Sequence, residues 1–300
     1  MSLHPQAQSL LDDLASPGSG DLRRDVVGHR AAARAAALAA TDRIGLDLVD
    51  DLDAGGVPTR LYRPRLGAPV ALYVHGGGWV MHDLETHDAF CRYLAHTTGW
   101  ALLSVDYRRA PEHPFPAPLD DVETAARWLR EYGRDHRVDI DFVPGIGDSS
   151  GANLVAALSV RAPGLLDAQM LMYPATDRTA PLSRELSTAA LDVDVMPWFW
   201  AAYAPDIDVA HPEVSPGLAP DLSGQPPTLL VTCEHDVLAA QGRAFAARLA
   251  EAGVPVTSWE AAGMVHSFWR QPQRFDASGV AVTLVGATLD SLRHRARSLS

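Results

Sequence analysis

The chain has 300 residues, 47% hydrophobic and 21% charged, which is the composition of a folded protein able to form one large α/β domain or two small ones. Its formal net charge of −12 argues against nucleic acid or an anionic membrane as a binding surface; all 25 of its Lys+Arg positions are arginine. No apolar run reaches the roughly 20 residues that cross a bilayer, the start MSLHPQAQSLLDDL lacks a basic and an apolar leader region, and a cytoplasmic location is expected.

In chain order, HRAAARAAALAATDRI carries the N-terminal segment to about Ile44 as helix, with an apolar stripe and exposed arginines. Leu46–Leu52 and Val57–Tyr62 read as a hairpin around Gly55-Gly56. Strands then alternate with helices: PVALYVHGG, helix HDAFCRYLAHTTG, WALLSVDYR, helix APLDDVETAARWLREYG, DFVPGIG, helix GANLVAALSVRA, and AQMLMYP. From about Ala175 to Gly217 the rhythm breaks. DVMPWFWAAYAPDID is too aromatic for a solvated loop and too interrupted by proline for one long helix, so it reads as a helical insertion over the sheet edge. The alternation resumes with PTLLVTCEHD, helix AAQGRAFAARLAEAG, strand VPVTSWEAA and a last helix from about Ser278. Short apolar strands between amphipathic helices indicate an α/β fold, a mostly parallel sheet with helices on both faces. Cys91 and Cys233 fall in a helix and a strand of that pattern and read as reduced core thiols.

VPGIGDSSGANLV contains Gly147-Asp148-Ser149-Ser150-Gly151, a G-x-S-x-G pattern where a strand gives way to a helix. A serine on such a sharp turn is lifted clear of the sheet at a helix N-terminus, and flanking glycines let strand and helix approach. By itself the pattern also fits a tight connection whose serine caps the helix. A nucleophilic serine needs a base, an acid to orient it, and donors for a developing oxyanion; on a strand–turn–helix of this kind in an α/β fold the expected chain order is nucleophile, carboxylate, histidine. TLLVTCEHD ends a strand at Asp236, with Glu234 as the fallback, and GMVHSFW places His266 in a loop after the last strand. Gly76, Gly77 and Gly78 follow another strand and can aim backbone N–H groups at one point, joined by the N–H of Ser150. His82–Asp88 offers two histidines and several carboxylates, but not the helical His-x-x-x-His spacing of zinc hydrolases, so neither a metal nor a cofactor is expected. Asp148 is too near the serine in sequence to orient His266 and reads as structural.

These parts together resemble the bacterial hormone-sensitive-lipase-like esterases of the α/β-hydrolase fold. The resemblance rests on HGGGWVMHDLETHDAFCRYLA, VDYRRAPEHPFPAPLDD, GDSSGAN, the Asp236-x-Leu238 segment and His266-x-Phe268, from about Val70 to the C-terminus. It departs from the family's Gly-Asp-Ser-Ala-Gly-Gly-Asn at Ser150, which adds polarity beside the oxyanion site, and at Ala152, which narrows the start of the helix. The resemblance implies a catalytic domain over 46–174 and 218–300, with a helical cap from 1–45 and the insertion 175–217. It implies Ser149, His266 and Asp236 as a catalytic triad acting on carboxylic esters, with N–H donors from Gly77, Gly78 and Ser150. Trp79, Trp198, Phe199, Trp200, Tyr203 and Phe268 become candidates to line the pocket for a small-molecule ester with a short-to-medium acyl chain. A hydrolase of acetyl esters or amides tailoring a natural product is the alternative. A non-catalytic receptor on the same scaffold is countered by the presence of His266, and an interfacial lipase by the acidic surface. Monomer and homodimer both remain open.

Overall fold

The computed structural model describes residues 2–15, 21–41 and 43–299; residues 16–20 and Asp42 of the expected N-terminal helical segment lie outside the described residues. Among the described residues eight strands form one sheet: β1 (Leu48–Asp53), β2 (Pro58–Arg63), β3 (Val70–Val74), β4 (Ala101–Val105), β5 (Gly145–Asp148), β6 (Gln169–Met172), β7 (Thr228–His235) and β8 (Val256–Val265). Their spatial order is β1-β2-β4-β3-β5-β6-β7-β8. The β1/β2 and β2/β4 pairs are antiparallel, and the pairs from β4 through β8 are parallel.

The sheet is covered on both faces, and β3 shows how. All five of its residues are buried. Val70, Leu72 and Val74 join one apolar cluster, with Leu119, Val122 and Leu154, while Ala71 and Tyr73 join the other, with Phe90, Leu94 and Val285. Helices α4 (Ala117–Tyr132), α5 (Ser150–Arg161) and α7 (Ala239–Glu251) supply the first cluster. Helices α3 (Leu84–Thr98) and α8 (Asp276–Leu299) supply the second. A strand flanked by helices on both sides must be apolar on both, hence the unbroken VALYV. Cys91 and Cys233 are buried free thiols in the second cluster.

Three elements differ from the sequence expectation. Helix α3 begins a turn early because Asp83 and Thr86 cap it reciprocally, each side chain accepting the other's backbone N–H at 2.9 Å. Strand β8 runs on to Val265 across a register shift opposite Cys233 and His235, which carries it directly to His266. Of the two helices in the N-terminal segment, α1 (Pro5–Leu14) and α2 (Val26–Ala39), α2 lacks the expected apolar stripe and buries none of its residues. Polar contacts hold α2 in place of an apolar stripe. Arg30 reaches the carbonyls of Val80 and Ala110 at 2.7 and 2.6 Å and forks onto Glu112, and Arg34 meets Asp83 at 2.7 Å. Among the described residues no helix is long and apolar enough to cross a membrane.

Because β3, β5, β7 and β8 are parallel, their C-terminal ends open on one side of the sheet. His75-Gly76, Ser149, Asp236 and His266 are the residues that follow those ends.

Candidate active site

Ser149 stands between β5 and α5 with φ 53° and ψ −118°, a backbone conformation that costs a non-glycine residue about 1–3 kcal/mol. The surroundings enforce it: the Ser149 N–H donates to the carbonyl of Met172 at 2.8 Å, and its carbonyl accepts from Asn153 at 3.0 Å. The flanking glycines are required by contact distance. A methyl group on Gly151 would lie 2.1 Å from the carbonyl oxygen of Val74, and one on Gly147 would lie 2.6 Å from the backbone of Gly151. Strand and helix therefore meet backbone to backbone, and the turn between them has no room to relax.

His266 Nε2 lies 2.9 Å from Ser149 Oγ, and His266 Nδ1 lies 2.7 Å from Asp236 Oδ2. Asp236 and His266 are both buried, and the second oxygen of Asp236 accepts the Leu238 N–H at 2.9 Å. Tyr173 packs its ring on the imidazole with a centroid distance of 4.6 Å. Glu234, the fallback acid, turns away and accepts the Gly263 N–H at 2.7 Å.

A cavity of about 220 Å³ opens in front of Ser149. Gly77, Gly78 and Ser150 line it. No described residue accepts a hydrogen bond from the N–H of Gly77 or Gly78, and Ser150 is the first residue of α5, with no preceding turn to take its N–H. Gly76 is different. Its N–H donates to Asp148 Oδ1 at 3.0 Å, and the residue does not line the cavity, so its expected place among the oxyanion donors is corrected. Asp148 also accepts the Tyr73 hydroxyl at 3.1 Å, and burial raises its carboxyl above the usual range. It ties the glycine loop to the serine turn.

The aromatic expectations divide. Trp79 and Phe199 line the cavity, whereas Trp198, Trp200, Tyr203 and Phe268 do not. Tyr203 stacks on Trp79 at 4.4 Å and Trp200 packs on it at 4.3 Å, so both support that wall from behind. Phe268 turns into the second core against Tyr173 and Phe275, and Trp198 packs on Phe199. Helical period explains the outcome in helix α6 (Met196–Tyr203): Met196 and Phe199, three apart, share the cavity side. Met196 was legible from that spacing. Leu191, Ala190, Ala175, Met81, Ser267, His82 and Arg270 also line the cavity and carried no local signal. Asn153 of α5 donates to the carbonyls of Ala175 and Val214 at 2.7 and 2.9 Å, fastening the two ends of the insertion. Ala152 is buried in the first core cluster and is absent from the cavity wall.

Three histidines lie beside the glycine loop. Burial lowers His75 to about 4, and burial together with the Arg270 charge holds His82 and His87 well below their ordinary value. His75 stacks on Tyr107 at 4.4 Å, and the Tyr107 hydroxyl donates to the His75 carbonyl at 2.8 Å. Among the described residues no group of three or more histidine, cysteine, aspartate or glutamate side chains could hold a metal ion.

A family model described as the alpha/beta hydrolase fold matches residues 71–270. Esterase LipI of Mycobacterium tuberculosis is 38% identical over 237 residues, 74% of each chain, and Carboxylesterase NlhH of the same organism is 40% identical over 227 residues, 71% of each. The solved structure of the hyperthermophilic esterase from the archaeon Pyrobaculum calidifontis superposes with a TM-score of 0.90 at 32% identity, covering 98% of this chain and 99% of its own. The strand order, the serine turn and these relatives agree, and the chain belongs to the α/β-hydrolase family, in its hormone-sensitive-lipase-like branch of carboxylic ester hydrolases.

Proposed function

We propose that the protein is a serine carboxylesterase for short-to-medium-chain esters, working through Ser149, His266 and Asp236. His266 Nε2 accepts the Ser149 proton as Oγ attacks the ester carbonyl, and Asp236 orients the imidazole and supports its charge. The oxyanion is met by the N–H groups of Gly77, Gly78 and Ser150, each such donor being worth about 3 kcal/mol in the transition state. The imidazolium then protonates the leaving alcohol. Water, activated by the same imidazole, cleaves the acyl-enzyme and returns the proton to Ser149. Residues 1–45 and the insertion 175–217 act as a cap, with Met196, Phe199 and Leu191 as its contribution to the pocket.

The observation that carries the proposal is the continuous contact from Ser149 Oγ through His266 to Asp236, at 2.9 and 2.7 Å. A cavity of about 220 Å³ favours a small acyl group. It is below the range of about 300–1,000 Å³ typical of pockets for drug-sized ligands. The test is a p-nitrophenyl ester series from acetate to palmitate on the wild type and Ser149→Ala. Highest turnover is expected on the shorter chains, with a loss of about 10³-fold or more in the variant. Preference for palmitate, or a variant that keeps most of the activity, would refute it, as would failure of a serine-directed phosphonate to label the protein.

A further inference from the structure

Arg270 enters the cavity from the 3-10 turn Phe268–Arg270, just beyond His266, and among the described lining residues it is the one arginine. A guanidinium presents five N–H donors in a rigid fork. Here few are used. Nη1 donates to His82 Nδ1 and His87 Nε2, both at a long 3.3 Å. Nε is buried with no hydrogen-bond partner among the described residues, and Nη2 makes no hydrogen bond to them either. The Asp148 carboxylate is 4.0 Å from Nε, beyond hydrogen-bond reach, and its other oxygen is engaged by Gly76 and Tyr73. Both histidine neighbours are kept neutral by burial and by Arg270 itself, so they add no positive charge to repel Arg270.

A buried donor left without an acceptor is costly, and a cavity-lining guanidinium whose Nη2 is unspent can donate to a carboxylate oxygen of a bound molecule. We infer that Arg270 is a specificity residue of this cavity, which takes esters bearing a carboxylate a few bonds from the scissile carbonyl. The inference rests on the esterase reading of the same site. The competing role is structural: Arg270 would merely brace the His82, His87 and Asp148 side of the glycine loop.

The test compares each carboxylate ester with its neutral amide isostere. Monoethyl succinate against ethyl succinamate carries the charge on the acyl side, and O-acetylglycolate against O-acetylglycolamide carries it on the alcohol side. Wild-type kcat/KM is expected to favour the carboxylate in one pair by about tenfold or more, the scale of one charge-assisted contact, and that pair identifies the side. Arg270→Gln should bring the ratio to near unity, and Arg270→Lys should retain part of it. A wild-type ratio near unity in both pairs overturns the inference. So does a ratio that survives in Arg270→Gln while both rates fall together, the signature of a brace. Should Arg270→Gln not fold, the wild-type ratios, Arg270→Lys and competitive inhibition by succinate against succinamide decide it. Hydrolysis of the amide isosteres without preference defeats this inference alone. Failure to hydrolyse any ester, p-nitrophenyl acetate included, defeats the esterase reading as well.

Discussion

A methyl group on Gly78 would lie 2.3 Å from Cδ1 of Phe199, so an aromatic ring from the insertion is seated directly on the bare Cα of the glycine loop. Gly78 also has φ +61°, in the left-handed region, where a side chain costs about 1–2 kcal/mol. The loop that aims its N–H groups into the cavity and helix α6 above it are thereby one packing unit. Gly78→Ala should lower kcat/KM by about tenfold or more, and Phe199→Ala in the same chain should recover part of the loss. A double-mutant cycle measures this. Additive losses would mean that loop and helix are independent.

Gly151 presents the stricter case, because its neighbours are backbone atoms that cannot rotate away. Gly151→Ala, with its methyl 2.1 Å from the Val74 carbonyl oxygen, should cost at least about 3 kcal/mol or prevent folding. Gly45→Ala, with nothing within 4 Å, should stay within about 0.5 kcal/mol of the parent. Urea unfolding of the pair checks the prediction, and similar midpoints would contradict it.

The two acids at the end of β7 are separable by activity. Asp236→Asn should reduce kcat by about 10⁴-fold, because the imidazole loses its orienting acceptor. Glu234→Gln leaves the Ser149–His266–Asp236 contacts in place, altering a side chain that accepts the Gly263 N–H, and should change kcat by less than about tenfold. Steady-state rates on p-nitrophenyl acetate suffice. The reverse order of effects would transfer the acid's role to Glu234.

Stability should fall on mild acidification. His75 titrates at about 4 in the folded protein because it is buried, against 6.5 for an exposed histidine. Between those values the unfolded chain binds a proton that the folded chain refuses, so each step down in pH favours unfolding. The histidine contribution is thus intact above 6.5 and lost progressively toward 4, on the order of 3 kcal/mol from His75 alone. His82 and His87 act in the same direction. Urea midpoints measured from pH 7.5 to 4.5 test this, and a constant midpoint would rule it out.

The alternation of strands and helices was legible because it depends on period. VALYV is an unbroken apolar run and TLLVTC a wholly buried one since helices cover both faces, and such runs are visible without knowing which helices do so. Ser149, Asp236 and His266 were legible as candidates for a related reason, each lying just beyond a strand, although the strand before His266 is polar and exposed over much of its length. Helix α2 was misread because alanine at helical spacing resembles an apolar stripe, while its anchoring by Arg30 and Arg34 depends on carbonyls and carboxylates far along the chain.

By itself, the sequence determined the class of fold, the strand ends that carry the chemistry and the glycines around the serine, because hydrophobic period and small-residue turns are local properties. Only the tertiary structure decided that Gly76 gives its N–H to Asp148, 72 residues away, and that Tyr203 and Trp200 back Trp79 and leave the cavity wall to Met196 and Phe199. It alone brought Arg270 to the cavity with donors to spare. A donor's acceptor and an aromatic ring's neighbour are chosen by segments distant in the chain, and no pattern along a single segment encodes which of them will meet.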